Sequence, residues 1–223
     1  MSSMNDKIQQ LESGQARVRK PRADGERSRQ AILLAAARLA TVRGLEGLSL
    51  GDLASHLGMS KSGLFAHFGS KQELELATID AAAKIFTEDV IQPVLAAKPG
   101  LARLTTLVDA ALSHLERRVF PGGCFFSVVA AELGTRPGRT RESVCSFIAK
   151  WMQLIERCLT EARDFREIDP GTNIAQAAFE VRAALGAANT GYVMTPDPAI
   201  LEMTRAAVGH VIDRIRSRPV LHE

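Results

Sequence analysis

This chain is short of cysteine, of long apolar runs and of net charge. Cys124, Cys145 and Cys158 are its three cysteines, and no two of them have CxxC spacing. An odd, widely spaced set in a chain of 223 residues argues against a disulfide framework and against a thiolate metal site. The longest nearly apolar stretch, Ala31 to Ala40, contains Arg38. It is about half of the ~20 residues a membrane-spanning helix needs, so no membrane span is expected. The opening Met-Ser-Ser-Met-Asn-Asp-Lys has no apolar run before a small-residue cleavage site. It does not read as a secretory signal, and a cytoplasmic location is expected.

Catalytic signatures are missing as well. There is no phosphate-binding loop or HExxH. Cys124 with His56 or His114 could form a thiol–imidazole pair, but a lone thiol and distant histidines coincide by chance. No enzyme, metal or cofactor is expected. The formal charge of +3 is too small for a non-specific architectural DNA binder. It is unevenly spread: residues 1–72 carry 11 basic and 6 acidic side chains, and residues 73–223 carry 17 and 19. That gradient allows a polyanion-binding head on a neutral body.

With 46% hydrophobic and 24% charged residues, the chain can bury a substantial core. Strand alternation and internal repeats are absent, and the apolar spacing is helical throughout. Residues 1–25 are polar, broken by Gly14, Pro21 and Gly25, with Arg17, Arg19, Lys20 and Arg22 near their end. They read as a basic arm, either simply solvated or able to reach phosphates or a minor groove. From Glu26, the apolar positions Ile32, Leu33, Ala36, Leu39 and Ala40 predict a helix ending before Gly44. Later patterns predict helices at about 71–90, 101–115, 124–133, 140–163, 173–191 and 198–217. Together with two helices in residues 52–68, the expectation is an all-α chain of about nine helices: an arm at 1–25, a head at 26–72 and a body at 73–223.

Residues 52–68 carry the clearest signal. Asp52-Leu53-Ala54-Ser55-His56-Leu57 predicts a helix, Gly58-Met59 a tight turn, and Ser60 caps a second helix running to Phe68. Ala54 is small where the two helices meet, Gly58 supplies positive φ, and Leu53, Leu57, Leu64 and Phe68 share a core. This is a helix-turn-helix. Its second helix enters the major groove, so Ser60, Lys61, Ser62 and Gly63 are the candidates for base and phosphate contact. Ser49 and Ser70 look like N-caps, the latter in the full S-x-x-E form Ser70-Lys71-Gln72-Glu73.

Over about residues 28–75 the chain resembles the TetR family of bacterial transcriptional regulators. The resemblance rests on Ile32-Leu33, Ala35-Ala36, Gly44, Leu48-Ser49, Asp52-Leu53-Ala54, Leu57 through Phe68, and Ser70-Lys71-Gln72-Glu73-Leu74. It implies a homodimer whose heads bind a palindromic double-stranded operator, released by a small-molecule inducer sensed in the body. It adds Lys71 and His67 as phosphate contacts, with Arg27 and Ser49 beside them. Phe65 replaces the more usual tyrosine and lacks its hydroxyl.

The resemblance also places a sensing cavity among the fourth to seventh helices. The candidate wall is Phe86, Leu107, Ala111, Cys124, Phe125, Phe126, Phe147, Trp151 and Met152, with simple core packing as the alternative for each. His114 faces either inward or solvent. The last two helices are the implied dimer interface, through Ile174, Ala177, Ala178, Val181, Leu185 and Ala188, then Ile200, Ala207, Val208, Val211 and Ile215, although small alanines at helical spacing equally suit an internal core. Cys124 follows Pro121-Gly122-Gly123 at a helix start, where the helix dipole favours a thiolate. That leaves a second trigger open, a redox or electrophile response at Cys124. Cys145 and Cys158 look like packing residues.

Overall fold

A computed structural model describes residues 21–217. Among them the chain forms nine helices. Helix α1 spans Pro21–Arg43, α2 Leu50–Leu57 and α3 Lys61–Phe68. Helix α4 is one rod in three segments, Lys71–Phe86, a π-helical turn Thr87–Ile91 and Gln92–Ala96. Then come α5 (Leu101–Glu116), α6 (Phe125–Leu133), α7 (Arg139–Asp164), α8 (Ile174–Met194) and α9 (Pro198–Ile215). The only extended pairing among the described residues is the isolated bridge Ile168–Arg216.

The first helix begins earlier than the apolar spacing predicts. Its described part runs from Pro21, ahead of the predicted start at Glu26. Residues 21–25 therefore belong to α1, while Arg17, Arg19 and Lys20 of the expected arm lie outside the described residues. Helix α4 also runs past the predicted end near 90. Pro93 cannot donate to the ladder and crowds the carbonyl four residues back, and the wider π turn just before it lets the rod continue.

Helix α1 buries Ile32, Leu33, Ala36, Ala37 and Ala40 and packs on α4 and α6 as well as on α2. The head is thus joined to the body along the helix that begins it. Helix α7 lies among α4, α5, α6 and α8, and α9 packs chiefly on α8. Inside the body, Arg103 is 7% exposed. Its guanidinium donates to both Glu161 carboxylate oxygens at 2.7 Å and to the Ala97 carbonyl at 2.9 Å, tying the end of α4 to α5 and α7.

Two sequence expectations are corrected here. Of the residues assigned to the dimer interface, Ala177, Ala178, Val181, Ala188, Val208, Val211 and Ile215 are buried within the protomer, and Ile174, Leu185 and Ile200 pack half-buried against the same core. These positions form the stripe that joins α8 and α9 to the rest of the body; Ala207 alone of the set is exposed. Cys145 is exposed, so of the two helix cysteines only Cys158 packs in the core.

Candidate functional site

The head is held in shape by its caps. Ser49 accepts from the Asp52 N–H at 3.0 Å, and its hydroxyl donates back to the Asp52 carboxylate at 2.7 Å. Gly58 ends α2 in the left-handed region, φ 65°, which lets its N–H and that of Met59 close on the last α2 carbonyls. Ser60 then caps α3 by accepting from the Gly63 N–H at 3.1 Å. Ser70 caps α4 through the Glu73 N–H at 3.1 Å. Only half of that capping box forms, because the Glu73 carboxylate turns to Arg139 at 3.1 Å.

Leu53, Ala54, Leu64 and Phe68 make the shared core of the helix pair, with Leu57 half-buried beside them. Burying that face leaves Ser60, Lys61, Ser62 and Phe65 exposed on α3, with Phe65 at 51%. Gly63 and His67 are half-buried, His67 against Phe68. Arg27 is exposed on α1 and Ser49 at the start of α2. Lys71 is exposed at the start of α4, but its ammonium already donates to the Glu46 carbonyl and lies 3.9 Å from Glu75. It braces the loop before α2 as well as facing solvent.

The body encloses a cavity of about 510 Å³, within the usual size range of small-molecule sites. Phe86, Ala111, Cys124, Phe126, Phe147 and Trp151 line it, together with Leu112, His114, Leu115, Phe120 and Ile148. The Phe126 and Phe147 rings stack at 3.5 Å, and Trp151 meets Phe86 edge to face at 5.2 Å. Leu107, Phe125 and Met152 are corrected: none lines the cavity. Leu107 and Phe125 are buried in the core, where Phe125 packs on Phe120, and Met152 packs against that core as well. One wall was missed altogether. Helix α8 contributes Phe179, Arg182, Ala183, Gly186, Asn189 and Thr190. Nothing local in the sequence separates these from an ordinary outer helix face; only the packing of α8 across the α5–α7 layer brings them there.

His114 is 3% exposed and lies in the cavity wall. Its Nδ1 is 2.9 Å from the Asp89 carboxylate, which also binds Arg117 at 3.0 Å. Burial pushes the imidazole pKa below its ordinary value, against the raising effect of Asp89. Cys124 is the N-cap residue of α6, half-buried, and its N–H donates to the Asn189 side-chain oxygen at 2.6 Å. Cys158 has its thiol pushed up to about 11 by burial.

Helix α6 joins this cavity to the head. Phe126, Ser127 and Ala130 line the cavity, and Glu132, near the helix end, accepts from the Leu45 and Glu46 N–H groups at 2.6 and 2.9 Å. Those amides belong to the loop between α1 and α2. Just beyond α6, Arg136 pairs with Glu46. Ahead of the helix, the Gly122 N–H donates to the Thr41 hydroxyl at 3.1 Å. A Cβ on Gly122 would overlap the Thr41 carbonyl, so glycine is required where this turn presses on α1.

A helix-turn-helix head coupled through shared helices to an all-helical, cavity-bearing body is the build of a DNA-binding regulator rather than an enzyme. The family model for bacterial regulatory proteins of the tetR family matches residues 32–78, and the tetracyclin repressor-like C-terminal domain model matches residues 100–208. The chain belongs to the TetR family of transcriptional regulators. It is similar to a TetR transcriptional regulator from Chloroflexus aurantiacus J-10-FL, at 25% identity and TM-score 0.80, covering 88% of this chain and 100% of that one. It also resembles a TetR-family regulator from Cytophaga hutchinsonii, at 21% identity and TM-score 0.74, covering 89% and 100%. The structure of AibR in complex with isovaleryl coenzyme A and operator DNA matches at 24% identity and TM-score 0.63, covering 82% and 95%. A search of curated protein sequences returned no match. Among the described residues, no helix is long and apolar enough to cross a membrane.

Proposed function

We propose that the chain is a homodimeric, cytoplasmic repressor that binds a palindromic operator and is released when a small molecule occupies the body cavity. The observation that carries this reading is α6: one helix of nine residues supplies cavity wall and, at Glu132, holds the loop that leads into the helix-turn-helix. A ligand that shifts α6 displaces that loop, and with it the spacing of two heads. The AibR complex, with acyl-coenzyme A and operator on a similar fold, supports a body that takes ligands and a head that takes DNA.

In this reading Lys61 and Ser62 face base edges, while Arg27, Ser49, Ser60, His67 and Lys71 face phosphates, and Phe65 offers its ring to a sugar or thymine methyl. The dimer face is the outward stripe of α8 and α9. Phe179 is 58% and Met203 62% exposed there, with Ala183, Ala206 and Ala207 exposed beside them. Phe179, Arg182, Ala183, Gly186 and Thr190 are exposed and also line the cavity. The cavity therefore opens on the face that a second copy covers.

A gel-shift titration tests the reading. The full chain binds one short inverted repeat far more tightly than random duplex, and equal binding to both refutes it. Since Cys124 lines the cavity, a redox trigger acting there is the second reading. It predicts that Cys124→Ser keeps operator affinity and abolishes release by oxidant; unchanged release by oxidant excludes it.

A further inference from the structure

The cavity wall is apolar and aromatic except at a few points, and one of those is unsatisfied. The Asp89 carboxylate can only accept, so His114 Nδ1 must carry the proton that spans their 2.9 Å contact. Arg117 reaches the same carboxylate oxygen at 3.0 Å. In the neutral ring this leaves Nε2 as a bare acceptor. Nε2 is buried and has no hydrogen-bond partner; it is the sole buried side-chain nitrogen or oxygen of that kind among the described residues. Two cavity rings, Phe86 and Phe120, pack against the imidazole with centroids 5.4 and 5.5 Å away. Unpaired buried acceptors are costly, and the protein itself offers Nε2 no donor.

We infer that the ligand of this cavity is a hydroxylated aromatic molecule whose O–H donates to His114 Nε2 while its ring lies among Phe86, Phe126, Phe147 and Trp151. The inference rests on the ligand-sensing role proposed above and names the chemistry of that site. Nε2 itself is buried, so a ligand reaches it only with a local shift of the aromatic side chains around it. No Asp or Glu lines the cavity, and Arg182 is its one formally charged lining residue. The site therefore selects neutral or anionic ligands over cationic ones.

The test uses the full chain and two probes that differ only at the donor, propyl 4-hydroxybenzoate and propyl 4-methoxybenzoate, titrated by calorimetry. The phenol binds the wild type at least about tenfold more tightly than its ether, the effect of one satisfied buried acceptor. His114→Phe keeps the ring and removes the acceptor, and both probes then bind alike. Asp89→Asn frees the tautomer and shrinks the preference without filling the cavity. Because the wild-type comparison needs no variant, misfolding cannot mimic the result. Equal binding of phenol and ether to wild type, or binding of neither, overturns the hydroxyl assignment. Operator binding in the same preparation, read by gel shift, reports separately on the regulator reading.

Discussion

Lys61 and Lys71 each carry one positive charge but hold different positions. Lys61 is exposed on α3; Lys71 sits at the start of α4 and braces Glu46. We expect Lys61→Ala to change the preferred operator sequence. Lys71→Ala should weaken binding to every sequence and reduce the slope of log affinity against log salt by about one unit. Gel shifts at several salt concentrations separate the two, and unaltered binding in both would refute the head assignment. His114 gives a prediction about pH. Its folded pKa is depressed by burial, so the unfolded chain takes up a proton that the folded chain resists. This contribution is fully present above about pH 6.5 and is lost as pH falls toward the depressed folded value. Thermal melts of wild type and His114→Gln should therefore diverge above that pH and converge below it; a constant gap would contradict the sign. The capping serines and the Gly58 turn were legible in the sequence because each acts within four residues. The burial of His114 was not, because Asp89 and Phe120 reach it from other segments.

At the scale of elements, α6 touches both the cavity and the loop before the helix-turn-helix, and α4 runs from the head to the cavity wall at Phe86. Glu132→Ala removes the acceptor for the Leu45 and Glu46 amides and should uncouple the head from the cavity. Operator binding should then respond several-fold less to a cavity ligand, measured by fluorescence anisotropy. The Arg103–Glu161 pair makes a separate prediction. Arg103→Ala leaves Glu161 with Arg157 alone and the Ala97 carbonyl without its guanidinium donor, and should cost about 2 kcal/mol in denaturant unfolding. The existence and order of the helices followed from apolar spacing. Their ends did not: α4 runs beyond Pro93, because a proline is tolerated after a wider π turn. The cavity walls on α4 to α7 were partly legible from apolar and aromatic residues. Leu107 and Phe125 share that chemistry but sit in the core, so residue type alone could not separate cavity from core.

For the whole molecule, the charge gradient is mild, 11 basic against 6 acidic side chains in residues 1–72 and 17 against 19 in residues 73–223. Its boundary at residue 72 falls in the first turn of α4, the rod that begins beside the helix-turn-helix and ends in the body. The sequence left core and interface open for the stripe on α8 and α9, because alanines at helical spacing suit both equally. Burial assigns Ala177 and Ala178 to the core and leaves Phe179 outside. Phe179→Glu should therefore give a monomer in analytical ultracentrifugation and reduce affinity for a palindrome by about a hundredfold, since two linked heads bind with high effective concentration. The most direct test of the account is selection of binding sites from a random duplex pool by the full chain, read by sequencing. The account predicts an enriched inverted repeat with half-site centres one helical turn, about 10 base pairs, or a multiple apart. Enrichment of a lone, non-symmetric site, or of none, would contradict it.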